Sequence, residues 1–331
     1  MEYIASHYHM DLPLVWALRL EGKTDQEKFK ELGWGLRTWD QWNFNECDER
    51  FGDDWPARHR SCPKKAISPT QCFRSGEAGG PGRIPAQLVA HTLFYFTKPG
   101  DLVLDPTRLP RLRESNGWQV AGGGVVSDVC LLFERKCQSF DLALMDNRPE
   151  IQRYYWDPQN WTWPVTKKPD LIFFDPPYFS KKERDYEKKA NAESPSISSY
   201  TKEEYESFLE GFFLLAHRKS KTSTSMALLN ADWPARHRSR PKEAVSAPQG
   251  FRSGEAGGRD FESTPASKEN PDNSITIFNY HRVLSKTGWE VTHRIECPLS
   301  SERLSGNQVQ KMQDKRILGT VGRTLLIAKK S

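Results

Sequence analysis

The chain has 331 residues, with 48 Lys and Arg against 43 Asp and Glu, a formal net charge of +5. A hydrophobic fraction of 37% together with 11 Trp excludes a disordered chain and requires a folded core. No apolar run of about 18 residues occurs and residues 1–20 lack the basic-then-apolar order of a secretion signal, so neither a membrane span nor export is expected. The six cysteines form no CxxC pair, which argues against zinc and for reduced thiols in a cytoplasmic protein that binds no metal.

In chain order, residues 1–50 read as a helical N-terminal extension. Leu12–Leu20 is apolar on one side, and Thr24-Asp25-Gln26-Glu27 has the form of a capping box opening a helix that Gly33 stops after Leu32. Gly35–Trp42 is expected to be a third helix. Two readings are open for this part: a helix-turn-helix whose last helix enters a DNA groove, or a helical pair covering a sheet edge.

Next comes a repeat. Pro56–Gly80 and Pro234–Gly258 match at 19 of 25 positions, lie 178 residues apart, and each follow an Asp-Trp pair. Solenoid repeats stand in tandem and share an apolar stripe; these copies do neither. They resemble a mobile element inserted into a reading frame, and poorly ordered surface excursions are expected. A third stretch, 107–120, is also basic and out of pattern. The three carry +4, +3 and +2, so the chain without them stands near −4. The basic balance is therefore no evidence of a nucleic-acid footprint.

From residue 81 to 331 the pattern is that of one α/β domain with insertions at 107–120 and 234–258. Pro85–Phe96 is expected as a helix and Leu102–Leu104 as a buried strand ending at Asp105-Pro106. Beyond the interruption, Ala121-Gly122-Gly123-Gly124 opens a helix over Val125–Arg135. Strands follow at Ser139–Leu142, Leu171–Phe174 and Ser225–Leu229, with a helix over Thr201–His217. A helix over Ile275–Leu284 and strands at Trp289–Ile295 and Thr324–Ala328 complete the list. Short apolar strands alternating with helices imply a Rossmann-like, mostly parallel sheet covered on both faces, and the two-strand finish implies an antiparallel pair at one edge.

The strongest chemical signal is Asp175-Pro176-Pro177-Tyr178, delivered by the apolar strand Leu171–Phe174 to the end of the sheet where open α/β folds bind ligands. An exocyclic amine is a poor nucleophile because its lone pair is delocalised into the ring. A carboxylate accepts one of its N–H bonds, a backbone carbonyl stiffened by Pro-Pro accepts the other, and the Tyr face stacks a flipped base. The second signal is Asp105-Pro106 followed by Gly122 and Gly124. It joins a strand, a carboxylate and a glycine turn into a helix whose N-terminus favours an anion. Asp141, 17 residues after Gly124, suits ribose hydroxyls, with Asp146 as the competing candidate. His217, His281 and His293 lack ligand spacing, and the basic stretch after Tyr178 reads equally as a phosphate-contacting loop or a solvated face.

On these motifs the chain from about Pro81 to Lys330 resembles the DNA (adenine-N6 or cytosine-N4) methyltransferase family. Asp105-Pro106…Ala121-Gly122-Gly123-Gly124 is similar to the family's DPFxGxG cofactor motif. Asp175-Pro176-Pro177-Tyr178 is similar to its catalytic (D/N/S)PP(Y/F/W) motif, and Arg83–Gln87 to the segment before its first strand. The resemblance implies a class I methyltransferase fold, S-adenosylmethionine as cofactor, DNA as partner (RNA as the alternative), no membrane, and in-line transfer without metal or covalent intermediate. An Asp at the head of the catalytic motif leans toward adenine N6. The departure is the insertion at 107–120, about fourteen residues where the family has one or two. It either bulges from a preserved turn or abolishes cofactor binding, leaving a DNA-binding pseudoenzyme.

Overall fold

The computed structural model describes residues 12–42, 44, 84–106, 125–141, 151–153, 162–176, 179, 197, 200–230, 275–298, 310 and 322–331. These contain helices α1 (Leu12–Leu20), α2 (Asp25–Leu32), α3 (Ala86–Phe96), α4 (Val125–Leu132), α5 (Lys202–Lys219) and α6 (Ile277–Lys286). The strands are β1 (Leu102–Asp105), β2 (Lys136–Asp141), β3 (Ile151–Arg153), β4 (Leu171–Phe174), β5 (Ser225–Asn230), β6 (Trp289–Pro298) and β7 (Gly322–Lys330).

The central strands form where the chain is apolar on consecutive residues. Leu171–Phe174 and Ser225–Asn230 are buried at every position, as strands covered on both faces must be. The seven strands lie in the order β3-β2-β1-β4-β5-β7-β6. The first five run parallel, in the Rossmann order, and β7 lies antiparallel between β5 and β6. This is the Rossmann-like, mostly parallel α/β sheet expected from the sequence, with its antiparallel pair at one edge. Within that pair the later strand, β7, is interior, and β6 forms the edge.

Alternation along the strands sends side chains into two cores. Val103, Leu171, Phe173, Ala227, Leu229, Leu325 and Ile327 pack with residues of α1 to α4. Leu104, Ile172, Phe174, Met226, Leu228 and Leu326 pack with α5 and α6 on the other face. The sheet is thus the middle of three layers.

The capping box of α2 forms as expected: Glu27 N–H donates to Thr24 Oγ1 at 3.3 Å and Thr24 N–H donates to Glu27 Oε2 at 2.8 Å. Gly33 then ends the helix at φ +73°, a conformation that favours glycine. An unforeseen second box, Thr201 with Glu204, opens α5.

Gly35–Trp42 is not a helix, which corrects the expectation. Its backbone groups find tertiary partners instead of carbonyls four residues back. Arg37 N–H donates to His91 Nε2 at 3.0 Å, and Trp42 N–H donates to Glu296 O at 2.8 Å. Gln41 forms a parallel bridge with Glu296 beside the edge strand β6, while Trp34 and Trp42 are buried in the core. The recognition helix that a helix-turn-helix needs is absent from the described residues. Strand β3 was not foreseen. Its three residues, Ile-Gln-Arg, carry no apolar run and are strand-like because Ser139–Asp141 of β2 pair with them.

Candidate functional site

The carboxyl ends of β1, β2 and β4 meet at one edge of the sheet. β1 has β2 on one side and β4 on the other, so the winding of the fold reverses between β1 and β4. Such a reversal opens a crevice outside the strand ends, because the connections leave toward opposite faces.

Asp105 is the last residue of β1 and is 3% exposed. It lies in register with Ser139 of β2, and the Ser139 hydroxyl donates to Asp105 Oδ2 at 3.1 Å. Pro106 follows, also buried. Asp141 ends β2 two residues beyond Ser139, its backbone paired with Arg153 of β3. On the other side of β1, Val103 pairs with Leu171 and Leu104 with Ile172, which sets Asp105 level with Phe173. Asp175 follows β4 directly, and Pro176 beyond it is buried. One strand spacing and two residues of rise put the Asp105 and Asp175 backbones about 8 Å apart.

The neighbourhood beyond β4 is aromatic. Phe179 is buried against Tyr205 of α5 with ring centroids 5.5 Å apart, and Tyr205 Oη is 3.2 Å from Tyr280 Oη of α6. At the end of β5, Asn230 is fully buried, and the β4–β5 register sets it level with Pro176.

The structure therefore brings Asp105, Pro106, the Asp141 backbone, Asp175 and Pro176 to one edge. Gly122, Gly124, Pro177 and Tyr178 lie outside the described residues, as do 56–80, 107–120 and 234–258. Among the described residues, no group of three His, Cys, Asp or Glu could hold a metal ion. No described helix is long and apolar enough to cross a membrane.

Sequence reasoning missed the polar cluster behind Asp105. Ser127 Oγ of α4 is 2.7 Å from Ser139 Oγ, and Cys137 Sγ is 3.3 Å from it. The signal was present: Cys137 and Ser139 alternate along β2 and so share a face. Asn230 carried no such signal, since a single polar residue ending an apolar strand is ordinary.

No family model matches the chain, and no curated protein sequence does. Among solved structures, TrmN from Thermus thermophilus overlaps it with a TM-score of 0.36 at 12% identity, over 80% of this chain and 53% of that one. The chain thus spans about half the length of TrmN. A TehB-like SAM-dependent methyltransferase from Corynebacterium glutamicum overlaps with a TM-score of 0.37 at 11% identity, over 79% of this chain and 96% of that one. Geranyl diphosphate C-methyltransferase from Streptomyces coelicolor gives 0.41 at 11% identity, over 94% and 100% of the two chains. Similarity this slight carries no argument about the chemistry of this chain.

Proposed function

We propose that the chain is an S-adenosylmethionine-dependent methyltransferase acting on an exocyclic amino group of a DNA base, adenine N6 ahead of cytosine N4. The observation that carries the reading is the position of Asp175-Pro176 at the end of β4, one strand from Asp105, across the crevice where the winding reverses.

The residues fit the cofactor. A buried carboxylate at the end of β1 suits a cationic group, an acidic residue ending β2 suits ribose hydroxyls, and the two end neighbouring strands on the β1 side of the crevice. Asp105, Pro106, Asp141 and the glycines Gly122 and Gly124 would hold it, and when bound it supplies an electrophilic methyl group. The remaining work belongs to the chain. Asp175 accepts a hydrogen bond from the amine and the Pro176 carbonyl accepts the second. Together they draw the lone pair out of conjugation with the ring and toward the donor. Pro177 stiffens that carbonyl, Tyr178 stacks the flipped base, and the crevice holds amine and methyl in line.

The test is tritium transfer from labelled S-adenosylmethionine to unmethylated DNA. The intact chain, a version lacking 107–120 and Asp175→Ala are run side by side. Transfer by the intact chain, lost in Asp175→Ala, supports the reading. Transfer only after the deletion identifies a methyltransferase silenced by its insertion. If neither folded version transfers to DNA, the DNA assignment fails and RNA is the next substrate to offer. The pseudoenzyme alternative is weakened on its own ground, because Gly35–Trp42, the last helix of the expected DNA reader, is not helical.

A further inference from the structure

Four side chains lead in sequence to the Asp105 carboxylate, and each carries one proton. Ser139 Oγ lies 3.1 Å from Asp105 Oδ2, with Ser127 Oγ 2.7 Å and Cys137 Sγ 3.3 Å from the same Ser139 oxygen. Ser127 Oγ is 3.7 Å from Cys137 Sγ, and the Cys130 thiol hydrogen-bonds Cys137.

Counting protons fixes the direction of these bonds. An ionised carboxylate only accepts, so the single Ser139 proton goes to Asp105. The Ser139 oxygen then accepts from Cys137 at 3.3 Å and from Ser127 at 2.7 Å, the Ser127 proton favouring this short contact over Cys137 Sγ, to which it also donates at 3.7 Å. Its one donor and two acceptor positions are all used. Burial pushes the Cys130 thiol well above its usual range, so it stays protonated and donates to Cys137. Each dipole points its positive end toward Asp105, and successive bonds polarise one another. An anion only 3% exposed requires such support.

We propose that Ser139 is a positioning residue that holds Asp105 as an oriented carboxylate for the ammonium group at the amino-acid end of S-adenosylmethionine. The proposal rests on the reading of the β1–β4 crevice as the cofactor site. Adenosine carries no cation at neutral pH, whereas the amino-acid end carries an ammonium, and a buried carboxylate selects the cation. Ser139 itself acts through Asp105, with Ser127 and Cys137 committing its proton to that bond.

The test is calorimetric binding of two probes. S-adenosylhomocysteine has the amino-acid end, while 5′-methylthioadenosine shares the adenosine and lacks that end. Ser139→Ala is expected to weaken S-adenosylhomocysteine by about tenfold, the scale of one charge-assisted hydrogen bond, and to leave methylthioadenosine unchanged. Ser139→Thr keeps the hydroxyl and restores affinity, and Ser127→Ala gives a loss of about threefold, a fraction of one hydrogen bond. Melting temperatures establish that each variant is folded, and Ser127→Ala carries the test if Ser139→Ala is not. Unchanged S-adenosylhomocysteine affinity in the folded variants, or equal loss for both probes, overturns the positioning role alone. If neither the intact chain nor the version lacking 107–120 binds either probe, the cofactor reading is overturned and the positioning role with it.

Discussion

Arg135 and Asp25, 110 residues apart, form a two-pronged ion pair, with Nη1–Oδ1 and Nη2–Oδ2 both at 2.7 Å. Arg135 leads into β2 and its side chain is fully buried, while Asp25 opens α2. The guanidinium also donates to Thr97 O, Thr97 Oγ1 and Phe133 O. Beside it Lys28, also buried, meets Glu134 at 2.6 Å, and that hydrogen bond foremost lowers the Glu134 carboxyl. The N-terminal helices are therefore fastened to the sheet by buried charge as well as by Phe29 and Leu32.

Asp25→Ala leaves the Arg135 charge buried with neutral partners only. A loss of about 3 kcal/mol is expected, at the lower end for breaking a buried pair because three oxygen acceptors remain. Urea unfolding measures it, and the Asp25→Ala/Arg135→Met double variant should recover part of the loss. A loss below about 0.5 kcal/mol, the level of an exposed pair, would mean that water reaches the guanidinium.

His91 gives the fold an acid limit. It is buried beside the rings of Phe29, Trp42 and Phe44, donates from Nδ1 to Gln87 O at 2.6 Å, and accepts from Arg37 N–H at Nε2. Burial, the largest influence, pushes its pKa from 6.5 down to about 4. The folded value lies below the unfolded one, so the unfolded chain takes up the extra proton between them. This contribution is fully present above the unfolded value and is lost as pH falls toward 4, roughly 3 kcal/mol across the window. Unfolding midpoints of wild type and His91→Gln between pH 7 and 4.5 test it; the variant should lack this part of the slope.

Cys297 is an inert thiol. It is 2% exposed, hydrogen-bonds Ile295 O, and burial pushes its pKa up to about 12. Iodoacetamide at pH 8 should leave it unmodified in the folded protein and label it in urea, as peptide mass mapping would reveal. Labelling under native conditions would show that the β6 edge opens.

The three out-of-pattern stretches at 56–80, 107–120 and 234–258 are proposed to be insertions rather than parts of the core. Deleting 56–80 and 234–258 together should leave the far-ultraviolet circular dichroism per folded residue and the melting temperature within about 3 °C of the intact chain, since long surface loops cost little. A collapse of the transition would assign them to the fold.

Much of this architecture is legible in the chain because its signals are local. The run Leu-Ile-Phe-Phe before Asp175, the Thr24–Glu27 box and the Gly33 stop each need only neighbours to be read. Gly35–Trp42 misleads for the opposite reason: its hydrogen bonds go to His91 and Glu296, partners that no local pattern names. At the site, Asp105 and Asp175 stand out because each ends an apolar strand. Ser139, Ser127 and Cys137 do not, since their significance lies in a register between β1 and β2 and in the approach of α4. The interior position of β7 is likewise invisible in a list of strands and follows from the pairing of Ser225–Asn230 with Thr324–Lys329.

That position bears on how the chain must be made. β7 comes last of the seven strands in chain order, yet it joins β5 to β6. On the ribosome, β5 and β6 emerge first and wait with facing edges open until Gly322–Lys330 arrives to be threaded between them. A message broken between Asn230 and Gly322 yields a polypeptide with an unpaired edge on β5, a strand buried at every position in the finished sheet. For a reading frame already carrying repeated foreign-looking segments, keeping that frame through its final strand decides between a folded product and an aggregate.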